Sequence, residues 1–172
     1  IRDARSYNTI QGQVYFSSKS FLKNPNGWND SLQQHYYKYP ALIPPMPWID
    51  SIAPKPPVIN AFSSEGKGTE QQVNISATYI DTDKRLRQFA LYVFSSLENT
   101  GISGKAPLQV IPSTTDSADC VLALSLLPQP LSSGNELYIG ITAVDINNVE
   151  SELSILQKLQ RPNEKAEWEI VK

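Results

Sequence analysis

Tyr138-Ile-Gly-Ile-Thr-Ala-Val-Asp-Ile-Asn-Asn-Val-Glu-Ser-Glu-Leu-Ser154 is the stretch that decides how this chain folds. Together with Leu137 just before it, Ile139, Ile141 and Ala143 fall at every second position. That spacing places them on one face of a strand. Asp145-Ile-Asn-Asn148 follows, and short Asp and Asn side chains bond nearby backbone N–H groups, which makes a turn. Leu153, Ile155 and Leu159 then predict a returning strand. Ala143 is small enough for close packing of one sheet on another.

The same period of two holds on the amino-terminal side. Residues 58–62 form a short apolar run opened by Pro56 and Pro57. Val73, Ile75, Ala77 and Tyr79 alternate with polar residues. In residues 89–94, Phe89, Leu91 and Val93 alternate with Ala90, Tyr92 and Phe94, so that strand is apolar on both faces. Residues 108–111 form another short run, and Cys120, Leu122, Leu124 and Leu126 share one face of a further strand. Turn residues separate these runs at 64–68, 81–83, 98–101, 128–134 and 145–148. About seven short strands spaced this way predict an antiparallel β-sandwich of immunoglobulin-like type. The tail from Pro162 is charged, and Trp168-Glu-Ile170 is placed to add an edge strand.

Upstream the pattern changes. Of 13 prolines, seven lie in residues 40–57, Pro-Ala-Leu-Ile-Pro-Pro-Met-Pro-Trp-Ile-Asp-Ser-Ile-Ala-Pro-Lys-Pro-Pro. Proline fixes φ and lacks an N–H donor, so this run is neither helix interior nor central strand. Its apolar residues predict an extended strap laid on a neighbouring surface. Before it, residues 26–38 read as a helix with Trp28, Leu32, His35 or Tyr36, and Tyr39 at three- and four-residue spacing. Residues 11–17 read as a strand. One strand and one helix cannot bury their apolar faces alone. The expected domains are therefore 1–54, a strand–helix segment with the strap, 55–160, the sandwich, and 161–172, the tail.

Composition closes off several functions. The chain has 172 residues, and its 15 basic against 17 acidic side chains give a formal charge of −2, not the basic balance of a nucleic-acid binder. No apolar stretch is long enough to span a membrane. The single cysteine, Cys120, excludes an intrachain disulfide, and on the apolar face of its strand it reads as an inert core thiol. The single histidine, His35, has no ligand partner at metal spacing, so no metal and no cofactor are expected. Asp81 with Asp83, and Glu150 with Glu152, are acid pairs of the kind that bind Ca²⁺ or carry acid/base chemistry, yet both sit beside turns that account for them. Neither a Gly-x-Ser-x-Gly elbow nor a glycine-rich phosphate loop occurs. Ile1 in place of Met fits a piece of a longer product.

Two resemblances add to this reading. Residues 138–154, with a strand ending Val-x-Ala-x-Asp, a turn with Asn and then Glu-Ser, resemble the last hairpin of fibronectin type III modules. Pro56-Pro57 fits the first strand of that module, while Ile139 departs from its usual Tyr. Gly12-Gln-Val-Tyr-Phe-Ser-Ser-Lys-Ser20, Gly27-Trp28 and Tyr36-Tyr-Lys-Tyr-Pro-Ala-Leu-Ile-Pro-Pro-Met-Pro-Trp-Ile-Asp50 resemble the carboxy-terminal end of the barrel in the bacterial glycosyl hydrolase-like family 10 proteins. That resemblance implies a (β/α)8 barrel ending in residues 1–54, then a fibronectin-like domain. The family's acidic catalytic residues lie on barrel strands outside this chain, so no catalytic residue is carried over.

The resemblance also implies roles. Within an intact barrel the end of strand 11–17 faces the active site. There Ser17, Ser18 and Lys19 are candidates to hydrogen-bond a sugar, with a solvated or capping loop as the plainer alternative. Met46, Trp48, Ile49 and Ile52 are expected to pack between the barrel and the sandwich. The implied function is that of a non-catalytic accessory domain of an extracytoplasmic glycoside hydrolase, periplasmic or at the cell surface, anchored by lipid through a missing amino terminus. Its partners would be the rest of the barrel and polysaccharide. The alternative is a carbohydrate- or protein-binding sandwich. An exposed aromatic row of Tyr92 and Phe94, joined by Tyr79 or Tyr138, would distinguish it.

Overall fold

The computed structural model describes residues 18–80, 84–103, 105–113, 117–128, 131–163 and 166–171. The strand expected at residues 11–17 and the pair Asp81 and Asp83 lie outside them. The chain divides into two compact units, Ile1–Tyr39 and Pro40–Lys172.

In the first unit, helix α1 spans Ser18–Lys23, and α2 spans Trp28–Ser31 and continues as a π-helical turn over Leu32–Tyr36. The sequence predicts helix from residue 26, but Asn26 and Gly27 have φ of 55° and 69°. Left-handed backbone cannot continue a helix. Asn24 organises the entry instead. Its Oδ1 accepts from the Asn29 N–H at 2.7 Å and its Nδ2 donates to Asp30 at 2.8 Å. The π turn closes where the Tyr37 N–H donates to the Leu32 carbonyl at 2.8 Å. Phe21 and Trp28 meet with ring centroids 4.9 Å apart, and Leu32 is buried.

The second unit is mainly β. Its strands among the described residues are β1 (Val58–Glu65), β2 (Gln72–Thr78), β3 (Leu86–Phe94), β4 (Gln109–Pro112), β5 (Ser117–Ala123), β6 (Glu136–Asp145), β7 (Gln157–Gln160) and β8 (Glu169–Val171). They form two antiparallel sheets, β1-β2-β5 and β4-β3-β6-β7-β8. Alternation decides the faces. Val73, Ile75, Ala118, Cys120 and Leu122 from the first sheet meet Phe89, Leu91, Leu137, Ile139, Ile141 and Leu159 from the second in one buried core. The tail strand expected at Trp168-Glu-Ile170 forms as β8, and Trp168 joins that core.

Strand β3 is apolar on both faces, and both are covered. Ala90, Tyr92 and Phe94 lie on the outer face with Tyr138 of β6, under Leu42, Ile102, Leu153 and Leu156. Gly140 makes this cover possible. A Cβ there would come within 2.7 Å of Leu156 and 2.9 Å of Leu153.

The returning strand after the turn differs from expectation. It begins at Gln157, and Ile155 is 86% exposed. Two serines replace the ladder over residues 151–154. The Ser151 N–H donates to the Ala143 carbonyl at 2.8 Å, and the Ser154 N–H to the Ile141 carbonyl at 2.9 Å. The serine Oγ atoms accept in return from the Ala143 N–H at 2.9 Å and the Ile141 N–H at 3.1 Å. Three residues thus span a distance that two occupy on β6, which breaks the alternation and turns Leu153 onto the outer face.

Candidate functional site

The strap belongs to the second unit and follows a traceable path. Leu42 rests on the aromatic outer face of β3 and β6. The Met46 N–H then donates to the Asn147 carbonyl at 3.1 Å, which fastens the strap to the turn after β6. Pro47 and Trp48 pass through a tight turn closed by the Ile49 N–H on the Met46 carbonyl at 3.0 Å. Asp50 stops that turn by accepting from the Ile52 N–H at 2.9 Å. Three prolines in residues 44–47 deny the segment any helix.

An ion-pair chain fixes the strap's far end. The Arg85 guanidinium, at the entry to β3, reaches both Asp50 of the strap and Asp145 at the end of β6. The Asp145 contact is 2.8 Å, and its Oδ1 also accepts from the Asn147 and Val149 N–H groups at 2.9 and 2.8 Å. Asp145 is thus the turn residue that the sequence indicates. The Ile52 N–H, and then Arg85, hold the Asp50 carboxyl below its ordinary range, and Asp50 raises Arg85 in turn. Sequence reasoning missed Arg85, because its pairing with Asp145 follows from β3–β6 register and leaves no local signal.

Held this way, the strap presents its large apolar residues outward. Trp48 is 78% exposed, Ile49 60% and Ile52 75%, while Met46 is half-buried. Beside the strap lies a groove of about 540 Å³, lined by Leu42, Pro44, Tyr92, Ile102, Lys105 and Glu150 among others. Glu150 Oε1 accepts from the Tyr92 hydroxyl at 2.8 Å and the Thr142 hydroxyl at 2.6 Å. Burial and this carboxylate push the Tyr92 phenol well up, so it stays a donor. Lys105 stands 4.9 Å over the Phe94 ring and donates to Asn99. Hydrolysis of a glycosidic bond needs two flanking carboxyl groups. Among the described residues lining the groove, Glu150 alone carries one.

The remaining candidates fall as follows. Ser17 lies outside the described residues. Ser18 and Lys19 are exposed in the first turn of α1. The aromatic row is not exposed: Tyr92, Phe94 and Tyr138 are buried under the strap and the residues after the β6 turn, and Tyr79 packs towards the inner core. Strand alternation placed Tyr92 and Phe94 on one face, where Tyr138 and not Tyr79 joins them, but carries no information about what covers that face. Cys120 is buried, and burial, with a smaller contribution from Asp119, pushes its thiol up to about 11. His35 is exposed in the π turn. No group of three His, Cys, Asp or Glu side chains is placed to hold a metal among the described residues. No helix among them is long and apolar enough to cross a membrane.

No family model matches the chain. A glycosyl hydrolase of Bacillus subtilis (strain 168), YngK, is 35% identical to it over 88 residues, which is 51% of this chain and 17% of that protein. The chain is thus similar over half its length to a protein named a glycosyl hydrolase, and the match spans less than a fifth of that protein.

Proposed function

We propose that this chain is the non-catalytic, carboxy-terminal accessory part of a bacterial, extracytoplasmic glycoside hydrolase of the family 10-like type. In this reading residues 1–54 are the end of a (β/α)8 barrel with its strap, and the β unit is a fibronectin type III-like sandwich. The order of three strands, β1-β2-β5, opposite β4-β3-β6-β7 supports that module type, and the likeness to a named glycosyl hydrolase supports the association with such an enzyme. The sandwich braces the catalytic domain and spaces it from polysaccharide or the cell surface. Met46, Trp48, Ile49 and Ile52 are its contact residues, and Ser17, Ser18 and Lys19 are rim residues of the intact barrel.

The observation that carries this reading is a strap pinned by Arg85 and Asn147 that still holds Trp48, Ile49 and Ile52 out to water. Burying a Trp side chain stabilises by several kcal/mol, so a fixed, exposed one implies a partner. Trp48→Ala in the longer protein should lower its thermal midpoint by about 4 °C or more with sugar affinity unchanged. An unchanged midpoint with weakened sugar binding would overturn the bracing role. The groove beside Tyr92 and Glu150 favours a second reading, in which the β unit itself binds glycan or protein. Calorimetric titration of the β unit with glycans that shows no heat removes its glycan form.

A further inference from the structure

We infer that one whole end of the β unit, and not the strap alone, is the docking face for the catalytic domain that the proposed function places upstream. Strand pairing defines this end. Val58 opens β1 opposite Thr78, the last residue of β2. Thr78 also faces Ser117, where β5 begins. In the other sheet Leu86 opens β3 opposite Asp145, where β6 ends. The short connection from Thr78 to Leu86 puts both sheets' ends on the same side. The strap crosses this side too, because Met46 bonds to Asn147 and Asp50 to Arg85 before the chain enters β1.

Apolar exposure is concentrated here. Among the described residues of this unit, ten large apolar side chains stand exposed, and six of them belong to this end: Trp48, Ile49, Ile52, Val58, Ile80 and Ile146. They come from three separate stretches of sequence. Among the residues whose exposure is described, the opposite end, where β1, β3, β5 and β7 finish, exposes Leu97 alone of this kind and carries Glu65, Lys67, Glu70, Glu98 and Glu136. Scattered surface apolar residues need no explanation, but six converging on one end mark an interaction face.

The catalytic domain is the occupant best matched to this face. The inference rests on the proposed function, and three observations select that domain. The strap that leads into the face is itself part of it, so a domain preceding the strap is delivered to it by the chain. The likeness to YngK covers only 17% of that protein, so most of a protein of that kind lies outside the matched stretch. The Asp50–Arg85–Asp145 chain stiffens the face beforehand, so little ordering opposes docking.

The test uses Ile80→Glu and Ile146→Glu in the longer protein, beside Trp48→Ala. Both isoleucines are exposed, so in the 172-residue chain alone each variant should leave the thermal midpoint within about 1 °C. In the longer protein each should lower it by about 4 °C or more, or split one transition into two. If both isoleucine variants leave the longer protein unchanged while Trp48→Ala destabilises it, the strap docks alone, and this inference falls while the proposed function stands. If none of the three has an effect, both fall. Concentration-dependent dimerisation of the 172-residue chain, abolished by Ile146→Glu, would assign the face to a second copy and overturn the choice of occupant.

Discussion

Gln71 lies just before β2, 5% exposed, and its amide acts as a spare peptide group. Its Oε1 accepts from the Trp168 N–H at 2.9 Å, and its Nε2 donates to the Trp168 carbonyl at 2.7 Å and to Ser64 Oγ at 3.0 Å. A residue at the head of the central strand of one sheet thereby holds the residue just before β8 in the other. Arg161 covers the Trp168 ring at 4.4 Å. Gln71→Leu keeps the volume and removes every one of these bonds, leaving two buried backbone groups of Trp168 unpaired. It should cost about 2–4 kcal/mol, read as a lower urea midpoint at unchanged slope. A loss under about 1 kcal/mol would mean that water replaces the amide. Nothing in the sequence marks Gln71. The first glutamine of the pair Gln71-Gln72 reads as a loop residue before a strand, and its partner lies 97 positions away.

Among the elements, β3 and β6 were the most legible. Phe89, Leu91, Ile139 and Ile141 keep a strict period of two, and side chains on alternate faces are a property of the extended backbone itself. The segment after β6 was not legible, because Ser151 and Ser154 bond through both backbone and hydroxyl. A hydroxyl standing in for a carbonyl leaves no periodic trace. Ser151→Ala and Ser154→Ala each strand one buried N–H of β6, and each should destabilise by about 1–3 kcal/mol in chemical denaturation. Cysteine in place of either serine, a weaker acceptor of similar shape, should fall between wild type and alanine. Equal stability of alanine and serine would show that the hydroxyls merely fill space. The strap was legible in part. Its prolines announced extended chain, but the outward turn of Trp48 depends on Asp50 and Arg85, whose meeting needs the folded register.

For the molecule as a whole, stability should depend on acid through Asp50. Its folded pKa lies below the ordinary carboxylate value because the Ile52 N–H and Arg85 favour the charged form. A depressed pKa contributes stability that is complete above about pH 4 and is lost as pH falls through the folded value. The difference in urea midpoint between wild type and Asp50→Asn should be steady from pH 7 to about pH 5 and shrink below about pH 4. A difference that persists undiminished at pH 3 would remove the ion pair as its source. The two turn N–H bonds accepted by Asp145 do not involve Asp50, so protonation of Asp50 loosens the strap and leaves those bonds in place.

The bond between Gln71 and Trp168 also sets a schedule. A chain growing on the ribosome at about 5–20 residues per second makes β2 several seconds before it makes Trp168. In that interval hairpins such as β1–β2 can form, but the amide of Gln71 waits without its distant partner. Closure of this edge is therefore a late event whatever order the strands adopt, because it spans so much intervening chain. Synthesis that stops short of Trp168 yields a product with most of its strands and an unsealed edge. Such a product presents the cell's proteases with an opening that the finished molecule does not have.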